Sequence, residues 1–437
     1  MKNHMMNSQV AAGAGKSFRS RIKRSQHLHI FRRFSQLTFL ALIILAPLLG
    51  LFRIDILAGA FVIGSYQIWF ADFAIVLGVW LLMAGVLVLS YSWLGAVFCG
   101  WACPQGLLSE LGTGWMHRLL GRRAGLSADG SGVKVALRKN KWFNWILLGL
   151  AFLAASMLLA LIPILYFYPP LTVWHFLTLQ RDAGMPLSMY WIYFVFCMVM
   201  LLDIAFIRHL MCQNFCIYRI WQHSFKTSET MQIGYDALRS DECVKCGYCA
   251  SACAVDLDPK HTEVYSGCTA CGECIVACDR LHEGKGEAGL LSFMFPDKDN
   301  SPKHMATMFG RFRGVLPILL AAALLLAFGI KTYSPYEVSV GNIGARNTSM
   351  NDYVVHLANK RYRASEVYIT VRGLKPAQYR LEKSAIHFDS AGMVNVVLHM
   401  NAPLIGRGMH RFVVHLRSSD GWHDDFPVSY YRVGGAT

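Results

Sequence analysis

Long uninterrupted apolar runs, rather than alternation, dominate the first half of the chain. Residues 34–52 (FSQLTFLALIILAPLLGLF), 73–93 (FAIVLGVWLLMAGVLVLSYSW), 143–167 (FNWILLGLAFLAASMLLALIPILYF) and 188–207 (SMYWIYFVFCMVMLLDIAFI) stand out. Each approaches or exceeds the ~20 residues that a helix needs to cross hydrocarbon. A fifth run, 314–330 (GVLPILLAAALLLAFGI), is shorter but carries no charge before Lys331. The pattern predicts four membrane-spanning helices within 34–207, behind a leader at 1–33, and a fifth at 314–330. The piece between Asp55 and Asp72 is moderately apolar but short, and Gly59 and Gly64 interrupt it. It reads as an interfacial or re-entrant segment.

After residue 331 the texture changes. EVYITVRG, MVNVVLHM, HRFVVHLRS and FPVSYYRV are short β-type runs, and HFDSAG and SSDGW read as turns between them. Several such strands in 331–437 predict a small all-β sandwich acting as an interaction module.

Composition agrees with a bilayer protein: 16% of the 437 residues are charged and 54% are hydrophobic, where soluble domains carry about 25% charged residues. The net charge of +15 sits beside apolar segments, which speaks for membrane orientation and against nucleic acid as a partner. Residues 1–33 hold Lys2, Lys16, Arg19, Arg21, Lys23, Arg24, Arg32 and Arg33 and no acid. The loop after the second span is also basic, with Arg118, Arg122, Arg123, Lys134, Arg138, Lys139 and Lys141. The positive-inside rule then places the leader, that loop and 208–313 in the cytoplasm, and 331–437 outside. The first apolar run is too long, and its basic lead too extended, for a cleaved signal peptide; it reads as an anchor.

The region 208–313 holds the chemistry. CVKCGYCASAC (243–253) and CTACGECIVAC (268–278) repeat one spacing, Cys-x2-Cys-x2-Cys-x3-Cys. Three thiols at two-residue gaps wrap three corners of a cubane, and the fourth comes from the other run, as in two-cluster ferredoxins. This assigns Cys243, Cys246, Cys249 and Cys278 to one [4Fe-4S] cluster. Cys268, Cys271, Cys274 and Cys253 take the second, within a ferredoxin-like domain at about 235–290. A zinc ribbon would pair Cys-x2-Cys knuckles across a longer loop, and a reducing compartment disfavours disulfides.

FCGWACPQG places Cys99 and Cys103 just past the second span, and HLMCQNFC places Cys212 and Cys216 just past the fourth. On a helical continuation each pair shares one face. Both pairs fall at one membrane edge, so the four thiols are candidate catalytic groups that form a Cu(I) site, a further cluster or a dithiol redox centre. The competing reading, small apolar packing, suits the solitary Cys197. Asp203 inside the fourth span is expected to face a partner or cavity. The 19 methionines and the N-terminal histidines read as filler and as a basic leader rather than as copper ligands.

In order, these parts resemble the FixG/CcoG/RdxA family of cytochrome oxidase accessory proteins. The likeness is carried by WFADF entering the second span, CGWACPQ leaving it, the second Cys-x3-Cys, and the paired runs, the second ending ACD. GEAGLLSF and HLANKRYRASEVYITVRGL follow. The resemblance implies a multi-pass α-helical membrane protein with an inserted two-cluster ferredoxin-like domain and an immunoglobulin-like C-terminal domain. It also implies an oxidoreductase of cupric-reductase type, reducing Cu(II) to Cu(I) for maturation of a cbb3-type oxidase. Assembly factors or copper chaperones would be its partners, alongside an electron donor that the sequence does not identify. Two alternatives stay open: a NapH- or NosR-like subunit passing electrons between quinol and a periplasmic reductase, and a non-catalytic scaffold with redox-sensing clusters.

Overall fold

A computed structural model of the chain describes residues 27–56, 58–121, 135–180, 187–212, 216–225, 230–255, 257–262, 267–283, 287–295, 302–342, 352–401, 404–406 and 408–432. The leader up to residue 26 and the basic residues 122–134 lie outside them. The chain divides into two compact units: Met1–Leu48 with Val79–Leu324, and Leu49–Gly78 with Leu325–Thr437.

Among the described residues five helices are long and apolar enough to cross a membrane. These are α1 (His27–Leu48), α2 (Phe73–Leu94), α5 (Trp142–Phe167), α7 (Ser188–Leu202, prolonged by a π-helical turn to Ile207) and the Arg313–Thr332 part of α12 (Pro302–Thr332). Their apolar side chains point outward: Trp80, Leu158, Phe194 and Leu324 are all exposed, a surface that suits lipid and not water.

Helix α1 corrects the expected start at residue 34 and end at 52. An unpaired charge is costly in hydrocarbon, so the sequence alone predicts a start after Arg32 and Arg33. The helix continues through Arg32 because Glu110 and Glu273 neutralise it. It ends before Gly50, whose φ is +67°. Residues 27–33 therefore belong to the helix and not to a leader.

Between α2 and α5 lie α3 (Val97–Trp101) and α4 (Pro104–Leu119); α6 (Pro170–Leu177) follows α5. Beyond α7 come a single turn, α8 (Arg208–Leu210), and α9 (Ile217–Phe225). The cysteine runs carry α10 (Tyr248–Ser251) and α11 (Glu273–Glu283).

The segment expected to be re-entrant is a three-stranded antiparallel meander, β1 (Phe52–Asp55), β2 (Ala60–Ile63) and β3 (Tyr66–Trp69). The two glycines that weakened it as a helix are its turns: Gly59 and Gly64 have φ of +62° and +59°, a region that glycine enters without Cβ clash. The meander belongs to the same unit as the tail.

The cysteine region is closed by β4 (Gln232–Tyr235), which pairs antiparallel with β5 (Leu291–Met294). This ladder extends the expected 235–290 boundaries at both ends.

The tail comprises β6 (Tyr336–Asn342), β7 (Asp352–Asn359), β8 (Ser365–Arg372), β9 (Tyr379–Leu381), β10 (Ala385–Phe388), β11 (Gly392–Met400), β12 (Gly408–Ser418) and β13 (His423–Arg432). They form two four-stranded sheets, ordered β10-β8-β12-β13 and β6-β7-β11-β9. Alternate residues of both sheets share one core, including Val355, Leu357, Ile369, Leu398, Val414 and Leu416. The period-two alternation of Ser365–Arg372 is the cleanest case, with every second residue buried.

Candidate functional site

The two cysteine runs fold alike. Lys245 and Gly247 in the first, and Ala270 and Gly272 in the second, adopt φ of +51°, +70°, +50° and +80° at matching positions. These left-handed residues curl each triple of thiols around a hollow. Cys243, Cys246 and Cys249 line one of about 380 Å³ together with Cys278. Cys268, Cys271 and Cys274 line another of about 340 Å³ together with Cys253. The fourth thiol is exchanged because Cys253 follows the short helix α10, while α11 carries Cys274 and Cys278 one turn apart.

Each hollow fits a cubane. Backbone N–H groups face the sulfurs: Leu257 N to Cys253 Sγ at 3.4 Å, Ala270 N to Cys268 Sγ at 3.4 Å and Leu290 N to Cys278 Sγ at 3.3 Å. Such bonds stabilise thiolate charge and tune cluster potential. Among the described residues no three His, Cys, Asp or Glu side chains converge as on a single ion. Four thiols spread around a hollow suit a cubane, whose ligands bind separate irons, better than a tetrahedral zinc.

Burial pushes the Cys249, Cys271, Cys274 and Cys278 thiols up, with Cys274 raised further by Cys271, Cys268 and Cys253 beside it. Cys243 moves down, because the Lys245 N–H, Lys260 and Tyr235 support its thiolate. The four raised thiols are the ones whose ionisation most needs the charge of a bound metal.

The second constellation is built differently from its expectation. Cys99 and Cys103 do not share one continuous helix. Helix α3 ends at Trp101, and Cys103 is the N-cap of α4 with Pro104 at its first turn. Proline has no N–H to continue a helix but is preorganised to begin one. The Cys103 thiol is raised by burial, against the N–H groups of Gly106 and Gln105. Gln222 Nε2 donates to Cys99 Sγ at 2.9 Å. The Cys212 thiol is pushed up to about 12, first by burial and then by the charges of Cys103, Cys99, Cys216 and Asp203. The Cys103 and Cys212 thiols thus feel other thiols of the set, though among the described residues no three of them converge as on a single ion. Asp203 has the partner that the sequence left open: Gln105 Nε2 lies 2.8 Å from each of its oxygens. Cys197 stays within α7.

Sequence reasoning missed the residues that join the second hollow to α3. Arg32, 2% exposed, donates from Nε to Gly100 O at 2.9 Å and from Nη1 to Glu273 Oε1 at 2.6 Å, and pairs through Nη2 with Glu110. Gln36 Nε2 also reaches Gly100 O, and Trp101 Nε1 donates to Ala270 O at 3.0 Å. The available signal is an arginine at the opening of an apolar run, which by itself speaks only for membrane orientation.

A family model described as a 4Fe-4S binding domain matches residues 76–123, the stretch that contains Cys99 and Cys103. The chain is 28% identical to RdxA of Cereibacter sphaeroides over 263 residues, 55% of this chain and 52% of that protein. It is 26% identical over 207 residues to YccM of Escherichia coli (strain K12), whose name assigns it to electron transport, covering 45% of this chain and 52% of that one. The chain thus spans about half the length of these relatives. A solved structure of a FixG-related protein from Vibrio parahaemolyticus aligns with 23% of this chain and 98% of that chain, at 17% identity and a TM-score of 0.20.

Proposed function

We propose that this chain, which belongs to the FixG/RdxA family of iron–sulfur proteins, is a membrane-anchored electron-transfer protein carrying two [4Fe-4S] clusters. The observation that carries the proposal is the sorting of eight thiols into two hollows of four, each completed by a cysteine from the other run. Cys243, Cys246, Cys249 and Cys278 hold one cluster, and Cys253, Cys268, Cys271 and Cys274 the other. When bound, such clusters supply one-electron steps.

The acceptor site we propose is Cys99, Cys103, Cys212 and Cys216. Its substrate is Cu(II), reduced to Cu(I) by one electron per ion and passed to chaperones or assembly factors of a cbb3-type oxidase. Thiols are soft ligands and favour Cu(I), which draws electrons towards this site. Two further features support an orientation with the clusters in the cytoplasm and an immunoglobulin-like tail in the periplasm of a bacterial inner membrane. One is the basic loop Leu137–Lys139 and its neighbours. The other is the two-sheet tail with a single core.

A second reading has its own observation. The 4Fe-4S model falls on the segment with Cys99 and Cys103, which favours a third cluster at the four thiols. Iron and sulfide analysis of anaerobically prepared protein separates the readings. About eight of each per chain fits two clusters with copper chemistry at the thiols, and about twelve fits three. Stoichiometric zinc without sulfide would sink both.

A further inference from the structure

The two runs match in spacing and backbone, yet their surroundings differ at three consecutive features: the second cysteine, the residue before it and the glycine after it. Gly247 and Gly272 each follow the second cysteine of their run. A Cβ on Gly247 would meet nothing within 4 Å, whereas one on Gly272 would stand 2.9 Å from Leu28 Cδ2 and 3.1 Å from Phe293 Cζ. Lys245 is exposed; its counterpart Ala270 is 3% exposed and accepts the Trp101 indole N–H. Cys246 is exposed. Its counterpart Cys271 lies against α3.

That contact runs through Gly100, the residue after Cys99. A Cβ there would stand 2.6 Å from Thr269 O, 2.9 Å from Cys271 Cα and 3.1 Å from Cys271 Cβ. Gly100 is helical and is not among the left-handed glycines, so backbone conformation does not require it. Glycine in a helix is about 1 kcal/mol worse than alanine. Close approach of two backbones is the physical reason left for it. Arg32 holds the approach from both sides, through Gly100 O and through Glu273 beside Cys274.

We infer that the hollow of Cys253, Cys268, Cys271 and Cys274 is the one that exchanges electrons with the four membrane-edge thiols, and that Gly100 is the positioning residue that sets their separation. The hollow of Cys243, Cys246, Cys249 and Cys278 is the entry point for a reduced one-electron carrier in the aqueous phase. This order rests on the functional reading above. One electron passes from the carrier to the entry site, one from there to the second site, and one from the second site to Cu(II), which becomes Cu(I). No bond is made or broken in the relay itself.

The test uses full-length, cluster-loaded protein in detergent, reduced anaerobically with dithionite, freed of excess reductant and mixed with Cu(II). Freeze-quenched samples are read by the low-temperature EPR signals of each cluster and of Cu(II). Cys246→Ser damages the entry site, and its remaining cluster should still lose its electron to copper on mixing. Cys271→Ser damages the second site, and its remaining cluster should stay reduced. Gly100→Ala and then Gly100→Val should slow cluster oxidation progressively, with both cluster signals present before mixing. Equal rates in Cys246→Ser and Cys271→Ser, or wild-type rates in Gly100→Val, would overturn the order while leaving the functional reading standing. Wild-type protein without cluster signals, or with reduced clusters that leave the Cu(II) signal unchanged, would remove the functional reading, and the order with it.

Discussion

Lys360 Nζ lies 3.1 Å from Asp72 Oδ1, joining the residue that follows the tail's second strand to the residue that precedes the second span. Lys360 is 2% exposed and also reaches Glu337 Oε2 at 2.6 Å. Its ammonium sits 4.7 Å from the centroid of Trp69 and 5.7 Å from that of Tyr333. The backbone reinforces the pair, with Gln67 N donating to Lys360 O and Tyr362 N to Ser65 O. The meander and the tail are thus fastened by one buried cation and its carboxylates, each with a backbone bond nearby.

Replacing Lys360 with methionine keeps the stem and removes the charge. Asp72 and Glu337 retain water at 20% and 49% side-chain exposure. The loss should therefore fall below the range for fully buried pairs, at about 2 kcal/mol. Thermal unfolding of the Lys360→Met protein should show a lower midpoint, and protease should cut the 52–69 meander sooner. An unchanged midpoint would mean that the backbone bonds alone hold the meander.

Arg32→Ala removes the cation shared by Glu110 and Glu273 but leaves Arg33 on Glu110 and His29 on Glu273, so the cost should stay below about 3 kcal/mol. Because Glu273 adjoins Cys274, the damage should be selective. Under chelator challenge, the cluster signal that Cys271→Ser also removes should disappear first. Arg32→Lys keeps the charge but loses the fork and should fall between the two. Equal loss of both clusters would show that Arg32 serves only the helix bundle.

Asp279, 4% exposed, accepts Gly289 N–H at 3.0 Å and so fixes the strand entry at which Leu290 N meets Cys278 Sγ. Asp279→Ala should cost about 1–3 kcal/mol locally and speed iron loss from the hollow of Cys243, Cys246, Cys249 and Cys278. Asp279→Asn preserves an acceptor oxygen and should be milder. The measurement is the rate of cluster bleaching with a chelator; identical rates in both variants would dismiss the hydrogen bond as the cause.

The 52–69 meander and the tail strands belong to one compact unit, so they should emerge on the same side of any membrane that the helices cross. Reporter fusions after Ser65 and at the C-terminus should both be periplasmic. Fusions after Asn140 and after Leu290 should be cytoplasmic, as the positive-inside rule expects. Opposite results at Ser65 and the C-terminus would refute a single unit in the folded protein.

Much of this was legible in the residues themselves. The apolar runs announce α2, α5, α7 and the end of α12, because helix length in hydrocarbon is fixed by bilayer thickness. The repeated cysteine spacing announces two equivalent wraps, since turn geometry and thiol reach are local properties. The alternation in Ser365–Arg372 announces a half-buried strand for the same local reason.

What the tertiary structure alone decided depends on partners distant in sequence. Arg32 is tolerated inside α1 only because Glu110 and Glu273 are folded against it, 78 and 241 residues away. Residues 52–69 become strands rather than a re-entrant segment because the tail supplies Lys360 and backbone partners for them. Pro104 divides the helix that sequence spacing would have drawn through both Cys99 and Cys103. And two runs that are nearly the same string become inequivalent, one facing water at Cys246 and Gly247, the other packed on Gly100 and Leu28. Spacing fixes what each run can hold; only the surface against which it packs fixes which run meets water and which meets the helices.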